Sequence, residues 1–559
     1  MFPVRSITLP LLGAVLAALI AGSAQAAEDG GTAPLFDDLG DHHSPITTSV
    51  PRAQRFFDQG LVLAWGFNHA EAVRSFREAQ RLDPDCAMCF WGEAFALGPN
   101  INKPMADSDV PAAYAAAQKA QALATTVSPR EQALIEALTH RYAPEPVADR
   151  SPLDEAFAAA MAEVAAAWPD DVDIATLYAE AMMDTMPWAY YDEDGQPKPL
   201  TDTLTATLES VLARNPEHPG AIHLYIHAVE ASDTPERAEA GADRLGDLVP
   251  GSGHLVHMPS HIYLRVGRYH DATLTNERAA LADESYINQC RAQGFYPALY
   301  YPHNIHFLWY TASLEGRSEV AIDAARKLAD NVPKDLIGDI PLIEQFLAVP
   351  MFGLIRFARW DEVLAEPQPR EDHRFATAMW HASRSIAYAA KGVREAAESE
   401  RRAYRERAEI YGPDAYETYG YPADKLLGIA GHVVDATIAH LDGDAEALIG
   451  ALESAVAMED ALPYMEPPYW FFPNRHLLGA ALLELDRPAE AEAVYRRDLE
   501  KVRKNGWALD GLAASLAAQD RHAEAAAARA EFEAVWPHAD VTLGRRGDDA
   551  GGTPTVRYF

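Results

Sequence analysis

Seven histidines in the middle of the chain have spacings that suit a metal site. They lie in the segments HPGAIHLYIHAVE, GHLVHMPSHIYLRVGRYHDA and YPHNIHFLWYTASLEGR, and they are His223, His227, His254, His257, His261, His303 and His306. Within each segment they are three or four residues apart, a step that puts side chains on one face of an α-helix. Several neutral imidazoles held close together bind transition metals. We therefore predict that these histidines bind one or two metal ions.

Three acidic residues near the histidines are candidates to join such a site. Glu180 and Asp184 lie in DIATLYAEAMMD, and Glu230 follows His227 by about one helical turn. Carboxylates at these places would complete a coordination sphere, orient imidazole N–H groups or act as a general base on bound water. His42 and His43 are further candidates if the N-terminal segment folds back. The sequence leaves the choice among these roles open.

The identity of the metal and the use of the histidines are also open. Many imidazoles with few thiolates suit zinc, copper or iron, and we expect copper or zinc. An alternative is a polar and aromatic groove for an organic or peptide ligand, and a purely structural role is a third interpretation. No nucleophile elbow, phosphate loop or zinc-protease motif is found, so the sequence names no reaction and does not decide whether the protein is an enzyme.

The elements that must position these residues are predicted to be helices. Beyond residue 50 the chain is rich in alanine, has Asp-Pro, Asn-Pro and Trp-Pro at helix ends and lacks strand-like alternation. A unit of about 34 residues recurs. Its small and aromatic positions are Phe56, Gly60, Leu63, Ala72, Phe76, Ala79 and Pro84 in one copy and Gly479, Leu482, Ala491 and Tyr495 in another. These observations predict an all-α fold of paired helices.

At these spacings the chain resembles the tetratricopeptide repeat family, whose repeat is a pair of antiparallel helices. The resemblance implies a right-handed α-solenoid of roughly ten to twelve repeats over residues 51–540. In that family the second, fifth and ninth places of the first helix line the concave groove. The seven histidines occupy these places in three consecutive units, so the resemblance implies that they converge there. Glu180 takes the ninth place of the preceding unit.

The same register predicts an aromatic wall in the groove near the N-terminus. Phe57, Trp91 and Phe95 fall on the fifth or ninth places of the first two units. The family commonly uses such surfaces to hold peptides or protein partners, and an exposed apolar groove favours that role. Burial under the N-terminal segment is the alternative.

The N-terminus has the pattern of an export signal. Arg5, the apolar run LPLLGAVLAALIAG and the small-residue site AQA before Ala27 predict a signal peptide over residues 1–26. The mature protein would then be periplasmic or secreted, with no membrane insertion because no later run is long enough. The formal net charge of −36 argues against binding to nucleic acid. Residues 27–50 are expected to form an extended arm, and residues 541–559 a flexible tail.

The cysteines suggest one local link. Cys86 and Cys89 form a CAMC motif at the start of a predicted helix, and a third cysteine, Cys290, has no obvious partner. In an oxidising compartment a structural disulfide between Cys86 and Cys89 is expected, and a metal or redox role for the motif is the alternative.

Two functional hypotheses follow. One is an exported repeat protein that binds a transition metal through the histidines, with or without catalysis. The other is an exported scaffold without enzymatic activity that binds a peptide or protein partner through its groove. The density of histidines favours the first hypothesis, while the use of such repeats as interaction modules favours the second.

Overall fold

A computed structural model describes residues 33–192, 195–290, 296–338, 341–410, 421–544 and 555–556. The signal peptide predicted for residues 1–26 lies outside these ranges. The chain divides into two compact units. The N-terminal unit contains the described residues up to Ile262 together with Glu277–Tyr301. The C-terminal unit contains Tyr263–Asn276 and the described residues from Pro302 onward.

The described residues are mainly helical. The α-helices in chain order are α1 Pro51–Trp65, α2 His69–Leu82, α3 Ala87–Leu97, α4 Val110–Leu123, α5 Pro129–Thr139, α6 Ser151–Ala167, α7 Val172–Asp184, α8 Thr201–Arg214, α9 Pro219–Val229, α10 Glu239–Leu248, α11 Gly253–His257, α12 Pro259–Val266, α13 Tyr269–Cys290, α14 Tyr301–Glu315, α15 Ser318–Asp330, α16 Val349–Arg356, α17 Trp360–Ala365, α18 Arg374–Ala390, α19 Arg394–Ile410, α20 Ala423–Asp442, α21 Ala445–Asp460, α22 Asn474–Glu484, α23 Pro488–Lys501, α24 Gly506–Ala517 and α25 His522–Val535. Short 3₁₀ turns lie at Asp107–Asp109, Ala124–Thr126, Pro235–Ala238, Lys334–Leu336 and Pro341–Ala348, and Tyr296–Tyr300 forms a π-helix turn.

Helices that follow one another in sequence pack together within each unit, as the repeat predicts. The Phe76 ring fits between two glycines: a Cβ at Gly60 would lie 2.7 Å from it, and a Cβ at Gly92 only 2.3 Å. Tyr495 fits between Gly479 and Gly511 in the same way. One aromatic ring thus packs against a glycine of its own helix pair and against a glycine of the next helix pair. The predicted all-α fold of paired helices is confirmed, and each unit is a stack of such pairs.

The segment before α1 has no helix or strand from residue 33 to residue 50 and is held by polar side chains. Gln59 accepts a hydrogen bond from the Phe36 backbone N–H and donates one to the Pro34 carbonyl. The Thr47 backbone N–H donates to Glu131 at 2.6 Å. Because these side chains satisfy its backbone groups, the segment needs no partner strand.

A few details extend the sequence analysis. Cys86 and Cys89 are joined by a disulfide at the N-terminus of α3, and Cys290 is not disulfide-bonded. In the segment expected to be a flexible tail, strands β1 Thr542–Leu543 and β2 Thr555–Val556 pair in parallel, so part of it is ordered. None of the helices in the described ranges is long and apolar enough to cross a membrane.

Candidate metal centre

The helix that carries His223 and His227 is α9, and its neighbours fix where it begins. Its N-terminus is capped by His218, whose Nδ1 accepts a hydrogen bond from the Ala221 backbone N–H at 3.1 Å. A Cβ at Gly220 would lie 2.5 Å from the Trp65 ring. Only a residue without a side chain permits this approach, so Gly220 brings α9 against the end of α1.

This approach sets the protonation of His223. Its Nδ1 lies 2.5 Å from the carbonyl oxygen of Trp65. A carbonyl oxygen only accepts hydrogen bonds, so Nδ1 must carry the hydrogen of the neutral ring. The other nitrogen, Nε2, therefore has a free lone pair and the protonation state of a metal ligand.

The protonation of His227 is set in the same way by Glu230. His227 Nδ1 lies 2.8 Å from Glu230 Oε1, and the ionised carboxylate can only accept. The lone pair of His227 is therefore on Nε2 as well. This atom is buried and has no hydrogen-bond partner among the described residues. Leaving a buried nitrogen unpartnered is costly unless something else occupies the position that it faces.

His254, on α11, completes a group of three. Its Nε2 lies 3.1 Å from His223 Nε2, and one nitrogen from each of His223, His227 and His254 lies within 4.8 Å of the others. We call these residues the three-histidine group. Because His223 Nε2 carries no hydrogen, either His254 donates its own hydrogen across the short distance or both nitrogens face a common cation.

His257 and His261 form a second group, which we call the histidine pair. Their Nε2 atoms are 2.9 Å apart. The two residues are on different helices, since the single helix expected here is interrupted between α11 and α12 at Pro259, which has no backbone N–H for the helical ladder. His261 Nδ1 lies 2.5 Å from Glu230 Oε2. One carboxylate thus holds His227 with one oxygen and His261 with the other.

The five predicted metal ligands that belong to the N-terminal unit, His223, His227, His254, His257 and His261, are buried. Their exposures range from 0% to 4%, so the expectation that they line an open concave surface is wrong. Burial lowers the pKa of His223 well below its usual value, and the neighbouring His227 lowers it further. Burial also lowers the pKa of His227. Both rings are therefore neutral near pH 7, the form that binds metals.

The remaining two histidines of the predicted set, His303 and His306, belong to the C-terminal unit and lie on α14. His303 is half-buried, and its ring packs against Phe307 with the centroids 5.4 Å apart. The His306 ring stacks on Trp309 at 5.2 Å and meets the edge of Phe346. Burial lowers the pKa of His306 to about 3.

The two predicted acidic residues of α7 contact a different partner. Arg141 Nη2 donates to Asp184 Oδ2 at 2.5 Å, and both residues are buried. Burial, and then the charge of Asp184, raise the pKa of Glu180 to about 8. Within the described ranges, no group of possible metal ligands includes Glu180 or Asp184. Within the described part of the chain, Glu230 is the one predicted acidic residue that contacts the predicted histidines.

A further cluster joins His42 of the N-terminal segment to Asp173 and His218. Both Nε2 atoms lie near Asp173 Oδ1, His42 at 3.2 Å and His218 at 3.1 Å. Since His218 Nδ1 accepts from the α9 backbone, its Nε2 carries the hydrogen and has no lone pair for a metal. Although burial alone would raise the pKa of Asp173, hydrogen bonds from His218 and His42 lower it below its ordinary range. The cluster is therefore a hydrogen-bonded anchor.

His43 does not join this cluster and instead contacts Asp58, with His43 Nδ1 2.8 Å from Asp58 Oδ2.

The predicted aromatic wall is not an open surface. Phe57, Trp91 and Phe95 are each only 2% exposed. Trp91 stacks on Phe95 and donates its indole N–H to the Leu134 carbonyl. These residues belong to the core, and the prediction of an exposed groove there is wrong.

Aromatic residues surround the three-histidine group, and two of them, Phe67 and Trp188, were not predicted from the sequence. The Phe67 ring centroid lies 4.6 Å from that of His223 and 5.3 Å from that of His254. The Tyr300 ring meets His254 at 4.8 Å, and the Trp188 ring meets His227 at 5.1 Å. The position of Phe67, directly after Gly66 at a repeat turn, was the one signal available from sequence.

Comparisons with known proteins found similarity in structure and none in sequence. No protein-family model matches the chain, and no curated protein matches its sequence. Solved structures similar to it include a human IFIT1 dimer with PPP-AAAA, at 11% identity over 85% of this chain and 89% of that one, with a TM-score of 0.30. The Cut9 and Hcn1 hetero-tetramer of APC/C gives 14% identity over 93% and 79% with a TM-score of 0.29. Yeast Tom70 gives 11% identity over 87% and 92% with a TM-score of 0.25. No functional inference follows from TM-scores this low.

Proposed function

We propose that the N-terminal unit binds transition-metal ions through its buried histidines. The observation that carries the proposal is the contact that Nδ1 of His223 makes with the Trp65 carbonyl and that Nδ1 of His227 makes with Glu230. A carbonyl and a carboxylate hold the hydrogen of each ring on Nδ1 and leave a lone pair on Nε2 inside the protein. Ligating histidines are commonly fixed by such a partner on the other ring nitrogen.

The distances support an ion among these atoms. A tetrahedral ion with metal–nitrogen distances of about 2.0–2.1 Å places its ligand nitrogens roughly 3.3 Å apart. The Nε2 atoms of His223 and His254 are 3.1 Å apart, and those of His257 and His261 are 2.9 Å apart. Small side-chain rotations suffice to reach the ideal value.

The donor set favours zinc or copper. Neutral imidazoles suit both ions. The carboxylate of Glu230 contacts Nδ1 of His227 and Nδ1 of His261, and it thereby orients both rings. Three protein nitrogens also leave a fourth tetrahedral position for water or another small ligand, as in catalytic zinc sites. We propose that the three-histidine group forms a site of this kind, with the fourth coordination position open. The histidine pair would supply the first two ligands of a second metal site.

We also propose that the protein is exported. The pattern of residues 1–26 supports this, and a disulfide between Cys86 and Cys89 is a bond that persists in oxidising compartments.

The test of the metal proposal is equilibrium dialysis of the purified chain against Zn²⁺ and against Cu²⁺, followed by elemental analysis. We expect at least one ion per chain. His223→Gln together with His227→Gln should abolish binding to the three-histidine group, because glutamine keeps much of the volume without an imidazole nitrogen. The matched control is His140→Gln, an exposed residue after α5. Unchanged stoichiometry in the double variant would refute the proposal, and circular dichroism checks that its helices remain.

A further inference from the structure

Two aromatic residues with a left-handed backbone contact the same histidine. Phe67 has a φ of 54° and Trp188 has a φ of 59°. The Phe67 ring stacks on His227 with centroids 5.9 Å apart, and the Trp188 ring meets His227 edge-on at 5.1 Å. This backbone region is unfavourable for residues with a Cβ and is retained where the surroundings or the function require it.

Phe67 is the aromatic residue at a position of the repeat where positive φ recurs. It lies two residues before the first residue of α2, and the equivalent positions before other helices, also with positive φ, are Gly267, Gly316, Gly392, Gly443, Ala358, Asp486, Lys504 and Asp520. Glycine adopts this turn without a steric penalty. Here the chain has a phenylalanine whose ring packs against His223, His227 and His254. Phe67 is therefore a fixed apolar wall of the three-histidine group.

Trp188 lies at the surface. It is in the segment between α7 and α8 and is 47% exposed, whereas His227 beneath it is 2% exposed. Its indole N–H donates to Asn102 Oδ1 at 3.0 Å, a residue of the segment between α3 and α4. A partly exposed side chain that donates a hydrogen bond to another segment is thus in contact with the buried His227 ring.

We propose that Trp188 is a gate for the ion and that Phe67 is the fixed wall opposite it. Rotation of the indole, with loss of the bond to Asn102, opens a path from solvent to His227 Nε2, the buried nitrogen whose lone pair has no protein partner. The ligand that passes is the transition-metal ion itself, so the inference rests on the proposed metal function. The gate controls the rate of exchange and leaves the affinity to the histidines.

The gate is tested by zinc kinetics on the full chain. Zinc uptake and its release to an excess of chelator are followed by stopped flow with a colorimetric indicator. We expect Trp188→Ala and Asn102→Ala to speed uptake and release alike by about tenfold or more, since each removes the hydrogen bond that holds the indole. The dissociation constant should stay within about threefold of the original value. The control is Trp168→Ala, a partly exposed tryptophan after α6.

The outcomes separate the two proposals. Zinc bound by the original chain with the same exchange rates in both variants overturns the gate alone. Zinc lost at equilibrium from Trp188→Ala also overturns it, because Trp188 would then be holding the ligands in place. An original chain that binds no zinc in dialysis overturns the proposed function and, with it, the gate.

Discussion

His227 and His261 share one carboxylate: His227 Nδ1 lies 2.8 Å from Glu230 Oε1, and His261 Nδ1 lies 2.5 Å from Glu230 Oε2. Burial alone would raise the pKa of Glu230, but its contacts with His261 and His227 lower it below its usual range. An ionised carboxylate with two acceptor oxygens can orient two rings at once. Glu230 thereby links the three-histidine group to the histidine pair.

Replacing Glu230 by glutamine should weaken metal binding and leave the fold intact. The amide has one acceptor oxygen, so its NH₂ group would face the N–H of one of the two histidines and force that ring to turn. Loss of such an orienting partner typically costs about 10–100-fold in metal affinity. Competition titration with a chelator measures the change. Glu209→Gln is the control, since Glu209 is an exposed residue that contacts Tyr225 and Arg237. Equal affinities in the two variants would contradict an orienting role.

The carboxyl group of Glu180 should make the protein less stable as the pH rises. Burial, and then the charge of Asp184, raise the pKa of Glu180 in the folded state to about 8, whereas in an unfolded chain it is about 4.3. The folded state therefore binds more protons than the unfolded state between these values. This stabilising contribution is complete below the unfolded pKa and is lost as the pH rises toward 8, by at most about 1.4 kcal/mol per pH unit.

Thermal melts from pH 5 to pH 9 check this prediction. We expect the unfolding temperature of the original chain to fall relative to that of Glu180→Gln across this range, because the amide of the variant does not titrate. The more exposed Glu155→Gln serves as the control. Parallel pH profiles for the original chain and Glu180→Gln would show that Glu180 is ionised in the folded state.

The three cysteines should differ in reactivity in protein recovered from an oxidising compartment. Cys86 and Cys89 are expected to resist alkylation until reduced. Burial, together with the charge of Glu71, raises the pKa of Cys290 to about 12, so its thiol should react slowly near pH 7 and readily after unfolding. Mass mapping with and without reductant distinguishes the three residues. Alkylation of Cys86 and Cys89 without reductant would contradict the disulfide.

Two glycine substitutions should have opposite effects on stability. In Gly92→Ala the new Cβ would lie 2.3 Å from the Phe76 ring, and such overpacking typically costs about 1–3 kcal/mol. In Gly450→Ala, inside α21, the new Cβ meets nothing within 4 Å, so the better helix propensity of alanine should stabilise by about 0.5–1 kcal/mol. Thermal or urea unfolding measures both. Similar effects of the two substitutions would contradict the packing described for Phe76.

Much of the fold could be read from the sequence because it depends on short-range spacing. The positions of Gly60, Phe76 and Gly92 predict paired helices, since only a small residue admits a ring at each crossing. The steps of three and four residues among the histidines likewise predict shared helix faces. Even the contact between His227 and Glu230 follows from a step of three residues along the chain.

Burial could not be read in this way, because it depends on residues far away in sequence. The proton of His223 is set by the carbonyl of Trp65, more than 150 residues earlier, and the Trp188 indole is held by Asn102 of another segment. A repeat register says which face of a helix a residue occupies, but it cannot say what covers that face. The sequence by itself determined the helix pairs and the clustering of imidazoles. The tertiary structure decided that the imidazoles of the N-terminal unit are buried, because non-local contacts set the protonation of His223 and the aromatic cover over His227.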